Sequence, residues 1–128
     1  KAVVLLAGTN DIEEKATPEV IAGNLQLLLA AFQAHQPGMP VILCAVMPSH
    51  ASKSRSKETI TRLNELLAAL AKGNPQVTLV DTWTLFADAT GDAKKEEFPD
   101  LLHPNAAGYK KWAEALKPVL AQLKLAAP

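Results

Sequence analysis

The sequence predicts an α/β fold, a parallel sheet with helices on both faces. Three apolar runs, residues 2–7, 41–46 and 77–80, are nearly continuous and rich in β-branched residues, as expected of strands covered on both sides. Helical patterns alternate with them, in the order strand, helix, strand, helix, strand, loop, helix. That alternation argues for parallel strands joined by right-handed crossovers. All strand C-terminal ends then meet at one edge, where open α/β sheets bind their ligands.

The first strand is Ala2 to Ala7, and Gly8-Thr9-Asn10-Asp11 follows it. Thr17-Pro18-Glu19 starts the first helix, with Thr as N-cap, Pro at the first helical position and an acid in the first turn. Ile21, Leu25, Leu28, Leu29 and Phe32 share its apolar face, and Gln36-Pro37-Gly38 stops it. Ser56 or a neighbouring serine opens the second helix, which buries Ile60, Leu63, Leu66, Leu67 and Leu70 and ends at Lys72-Gly73-Asn74-Pro75. The last helix is expected to start near Pro104 and to carry Tyr109, Trp112, Ala113, Leu116 and Leu120, with Pro118 kinking or splitting it. Residues 49–56 and 88–99 read as solvated loops that border a cleft.

Composition bounds the function. A length of 128 residues is that of one domain or a piece of one, with 48% hydrophobic and 20% charged residues. The formal net charge is zero, and no basic stretch is interleaved with aromatics, so nothing favours a nucleic-acid partner or an anionic membrane. No apolar stretch is long enough to span a bilayer. The single cysteine, Cys44, excludes an internal disulfide and reads as a small core residue. His35, His50 and His103 are too widely spaced for a metal pair. The chain begins at Lys1 and goes almost directly into a strand, so its natural N-terminus and any targeting information are expected upstream. No compartment is therefore assigned.

Two motifs carry chemistry. In Asp100-Leu101-Leu102-His103-Pro104 a carboxylate stands three residues before a histidine. A tight turn lets Asp100 accept from Nδ1–H of His103, fixing the tautomer and leaving Nε2 to act as general base and then acid. At the other end Gly8 permits a close turn, and the Asn10 amide can point over the sheet edge as an oxyanion donor. Taken alone, each motif also reads as an ordinary turn.

Together they do more. Val-Val-Leu-Leu-Ala-Gly-Thr-Asn-Asp near the start and Phe-Pro-Asp-Leu-Leu-His-Pro-Asn-Ala-Ala-Gly-Tyr near the end resemble the SGNH hydrolases, or GDSL esterase/lipase family. Met47-Pro48 and Val80-Asp81-Thr82 extend the likeness over essentially the whole chain. It looks closest to the branch of platelet-activating-factor acetylhydrolase-like esterases. The resemblance implies a flavodoxin-like α/β/α sandwich that hydrolyses carboxylic esters without metal or organic cofactor. It also implies Asn10 as oxyanion-hole residue, Gly8 as its supporting glycine, and Asp100 and His103 as catalytic acid and base.

One part is missing. The family's serine lies in a Gly-Asp-Ser motif upstream of the asparagine block, and a glycine in the next block gives a second oxyanion N–H. Here nine residues precede Asn10 and none is serine. Ser49, Ser52, Ser54 and Ser56 share one polar loop, outside any Gly-Asp-Ser context. Ser49 is the only one at the functional edge, yet it lacks the sharp strand-to-helix turn that presents such a nucleophile. Cys44 is mid-strand, and nothing activates Thr9.

Residues 1–128 are thus expected to form one SGNH domain truncated at its N-terminus, with strands absent. The exposed sheet then needs a complementing segment or a second copy to cover it. Three readings stand. One is an esterase for short acyl esters, such as an acetylated carbohydrate, whose nucleophile comes from the absent segment. The second is a catalytically inactive binding or assembly module. The third is a receiver-like or nucleotide-binding domain, weakened by the lack of a Gly-rich phosphate loop and of an acidic cluster.

Overall fold

The computed structural model describes residues 1–125. Three parallel strands, β1 (Val3–Leu5), β2 (Val41–Cys44) and β3 (Val77–Val80), lie in the order β1-β2-β3. Val3 pairs with Val41 and Val41 with Val77, so the strands start level and their C-terminal ends share one edge. Short helices leave two of those ends, α1 (Thr9–Glu13) after β1 and α4 (Thr82–Phe86) after β3. The long helices are α2 (Pro18–His35), α3 (Lys57–Lys72) and α5 (Ala106–Gln122), and a 3₁₀ turn covers Ala51–Lys53.

Alternation along β2 decides the layers. Val41 and Leu43 point toward α2 and α3, where Ile21, Leu25, Leu29, Ile60, Leu63 and Leu67 complete a core. Ile42 and Cys44 point the other way, with Val80, onto Trp112, Leu116, Val119 and Leu120 of α5. The result is a three-layer α/β/α sandwich. Each fully buried apolar side chain among them, such as Ile42, Ile60 or Leu63, contributes about 1.5–3 kcal/mol relative to an exposed one.

The helix starts follow the predicted chemistry. Thr17 accepts from the Val20 N–H at 3.3 Å, and Ser56 accepts from the Thr59 N–H at 3.2 Å. α5 begins two residues later than Pro104, because Asn105 takes the N-cap and accepts from the Gly108 N–H at 3.0 Å. Nor does Pro118 split it: α5 is a single helix through that residue. Proline removes one helical hydrogen bond, and the carbonyl it orphans belongs to Glu114; both residues are exposed, so water can satisfy it.

Two further expectations change. β1 is not covered on both faces: Val4 and Leu6 are 46% and 37% exposed, because α5 packs over β2 and β3. The loop at 49–56 is not wholly solvated, since Ser49 and Arg55 are each 2% exposed. The segment 88–99 is likewise packed, with Ala93 and Phe98 buried and Phe98 edge-on to Phe86 at 5.1 Å.

Candidate active site

The sheet edge holds a cleft of about 230 Å³, lined by both Asn10 and His103. Leu6, Ala7, Val46, Met47, Tyr109 and Trp112 make most of its remaining wall apolar. The residues singled out from both ends of the chain are therefore brought to one place.

Asn10 is the second residue of α1, immediately beyond β1. Gly8 makes that abrupt turn with φ of 115°, a left-handed conformation that strains any residue with a Cβ. A Cβ there would also stand 3.0 Å from Leu63 Cδ2 and 3.3 Å from Ile21 Cγ2. The Asn10 Oδ1 accepts from Arg55 Nη2 at 3.2 Å. Among the described residues Nδ2 has no acceptor.

Asp100 and His103 form a closed turn. Asp100 Oδ1 accepts from the backbone N–H of His103 at 2.7 Å and of Leu102 at 2.9 Å. Its Oδ2 lies 2.6 Å from His103 Nδ1. The backbone N–H of His103, then its ring, then the Leu102 N–H hold the Asp100 carboxyl well below the usual carboxylate range. An ionised carboxylate only accepts, so Nδ1 carries the proton and Nε2 of the neutral ring keeps its lone pair. The His103 side chain is 75% exposed and lines the cleft.

The supports around this turn are tertiary. Leu101 sits at φ 63°, its N–H donating to Phe98 O at 2.8 Å and its carbonyl accepting from Ser49 Oγ at 2.7 Å. Ser49 is thus buried against the turn and engaged with Leu101, not aimed at His103. Gly108 lets α5 approach the same loop, because a Cβ there would fall 2.9 Å from Pro104 Cβ and 3.1 Å from Glu97 O.

Sequence reasoning missed three residues. Arg55 clamps the first turn of α1. Asn64 holds the chain beyond β2, accepting from Val46 N at 2.7 Å and donating to Val46 O at 3.0 Å. Thr82, fully buried, donates to Ala45 O. Asn64 left a readable signal, a polar residue beside the apolar stripe Leu63-Leu66-Leu67; Thr82 was legible only as part of Val80-Asp81-Thr82, and Arg55 left none. His50 and His35 lie outside the cleft, and His50 instead caps the 3₁₀ turn by accepting from Ser52 N at 3.1 Å. Cys44 is fully buried, and burial pushes its thiol up. Among the described residues no group of three or more His, Cys, Asp or Glu is placed to hold a metal ion. No described helix is long and apolar enough to cross a membrane.

The α/β/α sandwich thus carries the Asp100–His103 pair and Asn10 around one cleft at the C-terminal sheet edge. The profile of the GDSL-like Lipase/Acylhydrolase family matches residues 1–111, and the chain belongs to that family. It is 26% identical over 123 residues to the platelet-activating factor acetylhydrolase IB subunit alpha2 of Bos taurus and of Homo sapiens, covering 96% of this chain and 53% of each relative. Among solved structures, a Streptococcus pneumoniae protein provisionally described as a platelet activating factor superposes with TM-score 0.86 at 29% identity, over 93% of this chain and 59% of that one. A carbohydrate esterase family 3 protein from Talaromyces cellulolyticus shares the fold, with TM-score 0.77 at 24% identity over 94% and 57% of the two chains. The chain thus spans about half the length of the curated relatives it matches.

Proposed function

We propose that the complete protein hydrolyses short-acyl carboxylic esters by a Ser-His-Asp mechanism, with the serine supplied by a segment outside these 128 residues. The observation that carries this reading is the 2.6 Å contact of Asp100 Oδ2 with His103 Nδ1, which leaves Nε2 open to the cleft that Asn10 lines.

In that mechanism the serine Oγ attacks the ester carbonyl carbon while His103 Nε2 takes the hydroxyl proton. The carbonyl oxygen becomes an oxyanion, to which Asn10 Nδ2 donates. Collapse of this intermediate breaks the bond to the alcohol, and His103 returns the proton to the leaving oxygen. Water then attacks the acyl-enzyme as His103 takes its proton; the bond to the serine Oγ breaks, His103 returns the proton to that oxygen, and the acid departs. Asp100 stays ionised throughout and steadies the imidazolium.

The small cleft suits an acetyl or similarly short acyl group, and the name of the acetylhydrolase relatives points the same way. An acetylated carbohydrate is one such substrate. The segment that carries the serine also covers β1, whose outer edge pairs with no described strand and whose Val4, with Leu6 just beyond it, is exposed. A binding module would have no use for an ionised carboxylate locked onto an open histidine, so the inactive reading is the weaker one.

The test uses p-nitrophenyl acetate and a fluorophosphonate probe on this chain and on the protein carrying the upstream segment. Turnover and one labelled serine are expected only in the longer protein. A longer protein that binds no probe and turns over no ester overturns the proposal.

A further inference from the structure

We propose that Arg55 is a positioning residue for the oxyanion site: it sets the direction of the Asn10 carboxamide and so aims the Nδ2 hydrogens into the cleft. This inference rests on the ester-hydrolase reading above, in which Asn10 meets the oxyanion.

Arg55 is the largest fully buried side chain of the core, at 2% exposure. A guanidinium in that setting must have its charge and its donors met. Its Nε donates to both the carbonyl and Oγ1 of Thr9 at 3.0 Å, and Nη1 donates to Lys53 O at 2.6 Å. Nη2 donates to Asn10 Oδ1 at 3.2 Å and to Glu13 Oε2 at 2.8 Å. Four of these five contacts fall on Thr9, Asn10 and Glu13, so the planar fork grips the first turn of α1 from below.

The chemistry of the fork then chooses the amide orientation. A guanidinium has donors and no acceptor, so the Asn10 carboxamide must present Oδ1 to it. A flipped amide would set two N–H donors against a cation. With Oδ1 held, Nδ2 lies on the opposite side of the amide, toward the cleft that Asn10 lines. Asn10 is otherwise an exposed residue with freedom to rotate. Holding its donor in place before substrate arrives is what oxyanion stabilisation requires, because reorientation during the reaction would consume the gain. The cation at Oδ1 also polarises the amide, making Nδ2–H a stronger donor.

The experiment is a double-mutant cycle in the nucleophile-bearing protein, read as separate kcat and KM for p-nitrophenyl acetate. Asn10→Ala is expected to lower kcat about 100-fold. Arg55→Lys keeps the charge and loses the fork; it is expected to lower kcat about tenfold with KM nearly unchanged. In the Asn10→Ala background Arg55→Lys should cost nothing further, because its effect runs through Asn10. An equal cost in both backgrounds, or no loss of kcat in Arg55→Lys, overturns the positioning role alone. An unchanged kcat in Asn10→Ala overturns the oxyanion reading and this inference with it. Should Arg55→Lys not fold, the unsubstituted chain decides: isotope-labelled asparagine NMR should show the Asn10 carboxamide in one fixed rotamer. Rotamer-averaged couplings at Asn10 would overturn the inference without any variant.

Discussion

The hydroxyl of Ser49 donates to the carbonyl of Leu101 at 2.7 Å, joining the chain beyond β2 to the turn that presents His103. Ser49 is 2% exposed, so the bond is shielded from water. Ser49→Ala leaves a partly buried carbonyl without its donor and should destabilise the chain by about 1–2 kcal/mol. Thermal unfolding measures the loss. Fluorophosphonate labelling of Ser49 in the unsubstituted chain would instead make it a nucleophile.

His103 packs little, its side chain being 75% exposed. His103→Ala should therefore leave the thermal midpoint nearly unchanged while lowering kcat of the complete protein by a factor of about 10³ or more. Undiminished turnover in that variant would remove His103 from the mechanism.

Asp100 gives a pH signature. Its carboxyl is depressed by the His103 backbone N–H, the His103 ring and the Leu102 N–H. A depressed folded value means that the stabilisation is present above the unfolded carboxylate value of about 3.9 and is lost as pH falls through the folded value. The gap in thermal midpoint between the parent chain and Asp100→Asn should thus persist from neutral to mildly acid pH and be lost only at strongly acid pH. A gap already lost at mildly acid pH, above the unfolded carboxylate value, would show that folding does not favour the ionised form.

Gly8 is constrained by both conformation and space, at φ 115° with Leu63 Cδ2 3.0 Å from any added Cβ. Gly8→Ala should cost about 1–3 kcal/mol and displace α1. Denaturant unfolding tests this; a midpoint equal to the parent's would mean that the turn relaxes freely.

The bare face of β1 predicts association. With Val4 and Leu6 exposed beside a strand edge that pairs with no described strand, this chain by itself should self-associate with rising concentration. Val4→Lys should reduce that association in sedimentation velocity, as should adding the upstream segment. A monomer at all concentrations would show that the face needs no cover.

Much of this was legible in the residues. Thr17, Ser56 and the stripes of α2 and α3 announce those helices, since capping and 3.6-residue periodicity are local properties. The turn from Asp100 to His103 was also legible, because both groups lie within three residues. Pro118 misled for the same reason: its local penalty was visible, whereas the exposure that makes the penalty small was not.

By itself, then, the sequence determined the order of the strands and long helices, the Thr17 and Ser56 caps, the sheet edge for Asn10, and the family likeness, but not the short helices α1 and α4. These rest on short-range periodicity and on residue types at fixed spacing. Only the tertiary structure decided that Arg55 turns inward to hold Asn10, that Ser49 serves the Leu101 carbonyl, and that Val4 and Leu6 remain bare. Each pairs a residue with a group about 45 or more positions away, or depends on which strand α5 covers. Such contacts are set by how layers pack, and no local pattern encodes them.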